Sequence, residues 1–225
     1  MRPTASSNQP PRGSHGAALV GMSDIDYRRQ GPSLEFIWDT LNSRSFPTRG
    51  IRLSGNYRFM HDDVLKQNTD SISSSVELLA AKSWQRHTLR TRWQFEQYEA
   101  DQVDILALEQ YSLGGFLNLS GYAPNSLYGS DVQFGSLVYL YRLNQPRISF
   151  INSPLYLGAS IERGRVRKDV FGASGGADAT NWLSAGSVFL GWDTPLGPLY
   201  FGVGMAEYGP SDYSDALYLS FGQSY

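Results

Sequence analysis

The sequence contains no cysteine, which removes disulfides, thiolate nucleophiles and cysteine-ligated metals from consideration for this chain. Its three histidines, His15, His61 and His87, leave few candidates for imidazole chemistry. Lys and Arg number 19 and Asp and Glu 21, so charge of neither sign dominates. Polyanion binding draws its affinity from phosphate neutralisation, and this balance predicts no nucleic-acid partner. No apolar run reaches the roughly 18 residues that a membrane-crossing helix requires. The longest uncharged stretch, Gln110–Ser130, is rich in Gly, Ser and Asn, carries Pro124, and reads as loop. Residues 1–16 (MRPTASSNQPPRGSHG) lack the apolar core of an export signal. The expected organisation is a leader or linker over 1–30, with a poorly patterned strand near Ala17–Tyr27, followed by one domain over 31–225.

What is present is period-two alternation, the mark of half-buried strands. In 51–59, Ile51, Leu53, Tyr57 and Phe59 share one face, while Arg52, Ser54, Asn56 and Arg58 share the other. In 89–96, Leu89, Thr91, Trp93 and Phe95 oppose Arg90, Arg92, Gln94 and Glu96. The segments 155–162, 199–206 and 217–222 repeat the pattern, and weaker strands are expected near 33–40, 72–83, 131–142 and 182–193. Segment 131–142 is apolar on both faces around Leu137–Leu140, which leaves its facing open. Connections at Asp39–Gly50, Ser83–His87 and Asp193–Pro198 are short or compact, whereas 61–71, 99–130, 164–181 and 207–214 read as longer polar loops. Short turns on one side and long loops on the other, with strands of about 9–12 residues, fit an outer-membrane barrel.

A soluble β-sandwich or lipocalin-like barrel also alternates. Two features favour the membrane. The polar face carries Arg52, Arg58, Arg90, Arg92, Glu77, Glu96 and Glu162, too much charge for a dry soluble core. The apolar face places Trp38, Trp93, Trp192 and Phe201 near strand ends, as an interfacial belt does. The predicted fold is therefore an all-β, antiparallel transmembrane β-barrel of about 8–10 strands, complete or the C-terminal part of a larger barrel.

Several motifs point further. Asp39–Gly50 (DTLNSRSFPTRG) resembles the periplasmic turn of the bacterial surface antigen barrels, the superfamily of outer-membrane assembly and translocation factors. Ser112–Tyr122 (SLGGFLNLSGY) and Phe189–Tyr200 (FLGWDTPLGPLY), with Tyr139–Leu143, Leu155–Gly164 and Tyr218–Gly222, resemble the barrel of patatin-like phospholipases within that superfamily. The resemblance covers about residues 31–225. It implies a bacterial outer-membrane location, contact with lipid and with the barrel assembly machinery, and a barrel of which this chain supplies only the C-terminal strands, completed by missing N-terminal strands or a second copy. It also implies that the loop tip Ser120, Gly121 and Tyr122 folds back into the lumen, with serine where the superfamily carries arginine. Glu162 stands where the matching acid would be, and an arginine such as Arg90 or Arg92 is its expected partner. Leu217, Leu219, Phe221 and Tyr225 resemble the C-terminal signal read during barrel insertion.

Catalysis is not expected. Gly172-Ala173-Ser174-Gly175-Gly176 fits G-x-S-x-G, but it lies in a Gly-rich loop between strands with no histidine after it. His61 with Asp62 and Asp63 reads as a solvated turn rather than a rim hydrolase or a metal site, and His87 as an exposed turn residue. No cofactor or metal is predicted. The expected function is a membrane anchor or a translocation/assembly-type barrel, with a stand-alone porin-like or scaffold barrel as the alternative; in either, the lumenal charges line a channel or plug it.

Overall fold

A computed structural model describes residues 27–64, 67–100, 111–143, 153–167, 181–207 and 213–222. Twelve strands follow in chain order: β1 (Tyr27–Gln30), β2 (Ser33–Asp39), β3 (Arg49–Val64), β4 (Gln67–Trp84), β5 (His87–Ala100), β6 (Tyr111–Leu113), β7 (Leu127–Gly129), β8 (Asp131–Arg142), β9 (Leu155–Arg167), β10 (Leu183–Thr194), β11 (Gly197–Glu207) and β12 (Tyr213–Phe221). All but β6 and β7 join one antiparallel sheet in the order β1-β3-β4-β5-β8-β9-β10-β11-β12, with β2 also paired to β3. The fold is all-β, as the alternation predicts.

β1 and β2 are two halves of a single wall strand. β1 pairs with the far end of β3 (Gln30↔His61) and β2 with its near end (Ser33↔Arg58). The break falls at Gly31–Pro32. Proline has no N–H for the ladder, and the Phe59 N–H donates to the Pro32 carbonyl at 3.1 Å across it. Gly31 lies so close to β3 that a Cβ there would stand 1.9 Å from the Phe59 oxygen. Tyr27–Gln30 thus belongs to the wall rather than to the leader, while the strand considered near 17–26 lies outside the described residues.

β8, β9 and β11 each bury one face inside the curve and expose or half-expose the other, whereas β2 is exposed along its whole length. On β9 the inner row is Tyr156, Gly158, Ser160, Glu162 and Gly164, and the outer row Leu157, Ala159 and Ile161. The facing left open for 131–142 resolves the same way: Val138 and Leu140 point inward and are buried, while Leu137 and Tyr139 point outward. The inner row is apolar because it packs on protein inside the curve, in a cluster with Phe116 and Leu117, while the outer row is an exposed apolar surface.

Two expectations are corrected. The polar loop expected at 61–71 is instead a continuation of β3 and β4, paired from Met60↔Ser71 through Val64↔Gln67. These strands run 16 and 18 residues. The residues of this extension are mostly polar on both faces, so the apolar alternation disappears while the ladder continues. His61 accordingly sits in a regular strand, with Nδ1 2.6 Å from Asp70 Oδ1 on β4. His87, expected to be exposed, is half covered; its ring stacks on Trp84 and its Nδ1 lies 2.5 Å from the Tyr139 hydroxyl.

Among the described residues β12 pairs only with β11, and β2 only with β3, so the sheet curls without closing its ladder. Contacts across the interior hold the curve instead. The turn between β2 and β3 sends Phe46 to the far wall, where it stacks on Tyr156 at 5.0 Å and packs on Tyr200 at 5.2 Å.

Candidate functional site

The segment between β5 and β8 forms a short hairpin, β6–β7, paired Tyr111↔Gly129 to Leu113↔Leu127. Its connection, residues 114–126, lies inside the curved sheet. Gly114, Gly115 and Gly121 have φ of +116°, +105° and +106°, a region that disfavours L side chains. The plug enters beneath an apolar collar of Leu113, Leu119, Leu127, Val132, Phe134 and Val166. Below it, Phe116 packs edge-on against Phe189 at 5.1 Å and against Tyr200 at 5.4 Å and Tyr218 at 5.3 Å.

At the tip the chain meets a fully buried polar cluster. The Ser120 backbone N–H donates to Glu162 Oε2 at 2.7 Å, and the Ser120 hydroxyl to Oε1 at 2.8 Å. The Ser160 hydroxyl also donates to Oε1, at 2.6 Å, and stands 2.6 Å from the Ser187 hydroxyl. Ser120 Oγ in turn accepts the Leu117 N–H at 2.9 Å. Ser120 and Glu162 are 0% and 3% exposed, so each of these bonds is made away from solvent, where losing an acceptor costs most. Next along the chain, the Gly121 N–H donates to the Tyr218 hydroxyl at 2.8 Å, and the Gly121 carbonyl accepts from Ser214 at 2.8 Å. The Tyr122 hydroxyl donates to the Glu207 carbonyl. Three consecutive residues are therefore fixed to β9, β11 and β12.

Small residues on the wall make room for this approach. A Cβ on Gly204 would lie 2.6 Å from Ser120 Cβ, and one on Gly121 would lie 2.5 Å from the Ala206 nitrogen. Gly158 opens the space filled by the Phe189 ring, and a Cβ on Gly202 would lie 2.4 Å from Phe189 Cβ. Glycine inside a strand weakens the strand and marks close approach of another group, which at Gly204 is the plug and at Gly158 and Gly202 is Phe189 of the neighbouring strand.

The arginine partner expected for Glu162 is not the one the geometry gives; serine hydroxyls and one backbone N–H occupy its oxygens. Arg92 instead pairs through Nε with Glu77 at 3.1 Å and donates to Gln94 at 2.7 Å, with its guanidinium 5.6 Å over Phe134. Arg90 is buried beside Tyr200. Arg52, Arg58 and Glu96 also face inward. Arg52, Glu77 and Arg92, with Asp39 and Arg44, line a cavity of about 770 Å³ between the plug and the N-terminal wall. The cavity reaches Ser220 and Phe221 at the unpaired β12 edge. Leu217, Leu219 and Phe221 lie exposed on the outer face of β12, whereas Tyr225 and the G-x-S-x-G segment lie outside the described residues.

Sequence reasoning missed Phe46, Phe116, Ser160, Ser187, Tyr200 and Tyr218. The available signal was the run of Gly and Ser on the inner rows of β9 and β11, which marks a wall built to be covered.

A lumenal hairpin tied by its Ser-Gly-Tyr tip to a glutamate on the wall of a curved antiparallel sheet can now be set beside known families. The profile of the Omp85 superfamily domain, the bacterial surface antigen group, matches residues 22–225. The chain belongs to the Omp85 superfamily. No curated protein matches it significantly. Omp85 membership associates the chain with a bacterial outer membrane and makes it a barrel of the assembly or translocation type, a class that works with partners. In this Omp85 chain the tip residue facing the wall acid is Ser120, so the latch is a cluster of neutral donors on a carboxyl group rather than an ion pair.

Proposed function

We propose that this Omp85 barrel is a non-conducting outer-membrane anchor or translocation-type scaffold, without catalysis of its own, which acts through its wall and its strand edges. The observation that supports this reading is the occupied interior: the latched plug packs on the wall from β8 to β12, and Phe46 and Pro47 are buried in the same interior, with the charged cavity confined to the side of the N-terminal wall. The similarity of Ser112–Tyr122 and Phe189–Tyr200 to patatin-associated barrels supports a hydrolase as the kind of domain such a barrel would anchor.

The β2 and β12 edges need partners, since an unpaired backbone group in lipid costs several kcal/mol. A second copy of the chain, or further strands of a larger barrel, would supply that pairing. Heat-modifiable gel mobility with light scattering separates a resistant monomer from a resistant dimer.

A second reading, a passive porin-like pore, draws on the charged 770 Å³ cavity. Planar-bilayer recording of refolded protein distinguishes the two. The anchor reading expects no steady conductance from wild type and current after Glu162→Ala. Steady wild-type conductance would favour the pore.

A further inference from the structure

The outer face of the sheet carries a groove of about 1020 Å³, lined by Trp93, Gly135, Leu137, Ile161, Arg163 and Trp182 among others. Its geometry follows from the register. Trp93 on β5 pairs with Gly135 on β8, Gly135 with Arg163 on β9, and Arg163 with Ser184 on β10. Small residues at Gly135 and Ser184 form the floor, with larger ones rising on either side. Toward the Leu155 end of β9 the next rows are apolar (Leu137, Ile161, Val188) and exposed. Toward its Arg167 end the outer row of β9 changes abruptly to Arg163 and Arg165.

These two guanidinium groups lie 5.5 Å and 4.9 Å over one indole, that of Trp182. Gln133 accepts from Arg165 Nε at 3.0 Å, which orients that side chain and leaves its terminal nitrogens free of it. The nearby Asp131 is engaged by Arg167 through two bonds of 3.0 and 2.7 Å. Among the described residues neither Arg163 nor Arg165 forms an ion pair. Two like charges held over one ring at the head of an apolar groove repel each other unless an anion bridges them, and Arg is the side chain that grips phosphate in a bidentate fork.

We infer that this groove binds an anionic lipid of the outer leaflet, its phosphate held by Arg163 and Arg165 against Trp182 and an acyl chain lying along Gly135, Leu137 and Ile161. The inference rests on the barrel reading above, because it requires this face to contact lipid.

The test uses refolded protein in phosphatidylcholine nanodiscs, with retained lipid counted by native mass spectrometry. The probes are bisphosphorylated lipid A, its dephosphorylated form, and inorganic phosphate. Wild type is expected to retain lipid A, and to lose at least about tenfold in retention when the phosphates are removed or in Arg163→Gln/Arg165→Gln. Gly135→Leu, which crowds Trp93 from 3.1 Å, is expected to lower retention with both arginines intact. Equal retention of the phosphorylated and dephosphorylated lipids by wild type would overturn the proposal without recourse to any variant. So would inorganic phosphate binding as tightly as lipid A. Heat-modifiable mobility, run on the same samples, reports barrel insertion separately, so failure of the groove is distinguishable from failure of the barrel.

Discussion

The two halves of the wall face the same interior and solve different problems. β2 to β5 present Asp39, Arg52, Glu77 and Arg92 to an open cavity. β8 to β12 present Val138, Phe189, Gly202 and Gly204 to a protein plug. On the first half the inward residues that line the cavity are charged, while Leu79, Ala81 and Arg90 are buried there. On the second an inward residue meets Phe116, Leu117 or the Ser120–Tyr122 backbone, and only small, apolar or hydrogen-bonded groups fit. The lesson is that the inner face of such a sheet is a second core wherever the plug touches it, and a charged surface where it lines the cavity.

The comparison can be broken most sharply at Gly204. A side chain there collides with Ser120, so Gly204→Val is expected to abolish the SDS-resistant folded species on a heat-modifiable gel, while Asn56→Val on the inner face of β3 leaves it intact. Phe116→Ala removes the ring wedged between Phe189, Tyr200 and Tyr218. Its expected cost is about 3–5 kcal/mol in denaturant-midpoint titrations, against at most about 1 kcal/mol for Arg92→Ala, whose pair with Glu77 is partly exposed. Glu162→Ala strips the acceptor from the Ser120 N–H and from two hydroxyls, for an expected loss of about 1–3 kcal/mol. Ser120→Ala, which keeps the backbone bond, is expected to cost less than Glu162→Ala in the same titration. The smallest effect is on the open side: Arg52→Glu in a Glu162→Ala background is expected to shift the reversal potential toward cation preference with little change in stability.

The same division governs what the sequence revealed. The strand pattern in 51–59 and 89–96 was legible because the outer face is apolar and the inner face polar or charged. In 131–142 it failed, since the plug made the inner face apolar, and no local window contains the plug. The continuation of β3 and β4 past Met60 was hidden for the opposite reason, both faces being polar. Family resemblance singles out both Ser120 and Glu162, but the arginine it implies as the partner of Glu162 gives way in the structure to Ser120 itself. A short side chain lets the backbone N–H itself reach the carboxyl group, with Gly204 beneath. Contacts such as Tyr200 with Ser45, separated by 155 residues, leave no local trace at all.

The central claim is that residues 120–122 are fixed to the wall, and amide hydrogen exchange of the refolded protein in lipid tests it most directly. The Ser120 and Gly121 N–H groups, held by Glu162 and Tyr218, are expected to exchange as slowly as the amides of β9, and the Ser120 amide to lose that protection in Glu162→Ala. Exchange of both amides at the rate of a solvated loop in wild type would contradict the latch and, with it, the plugged interior.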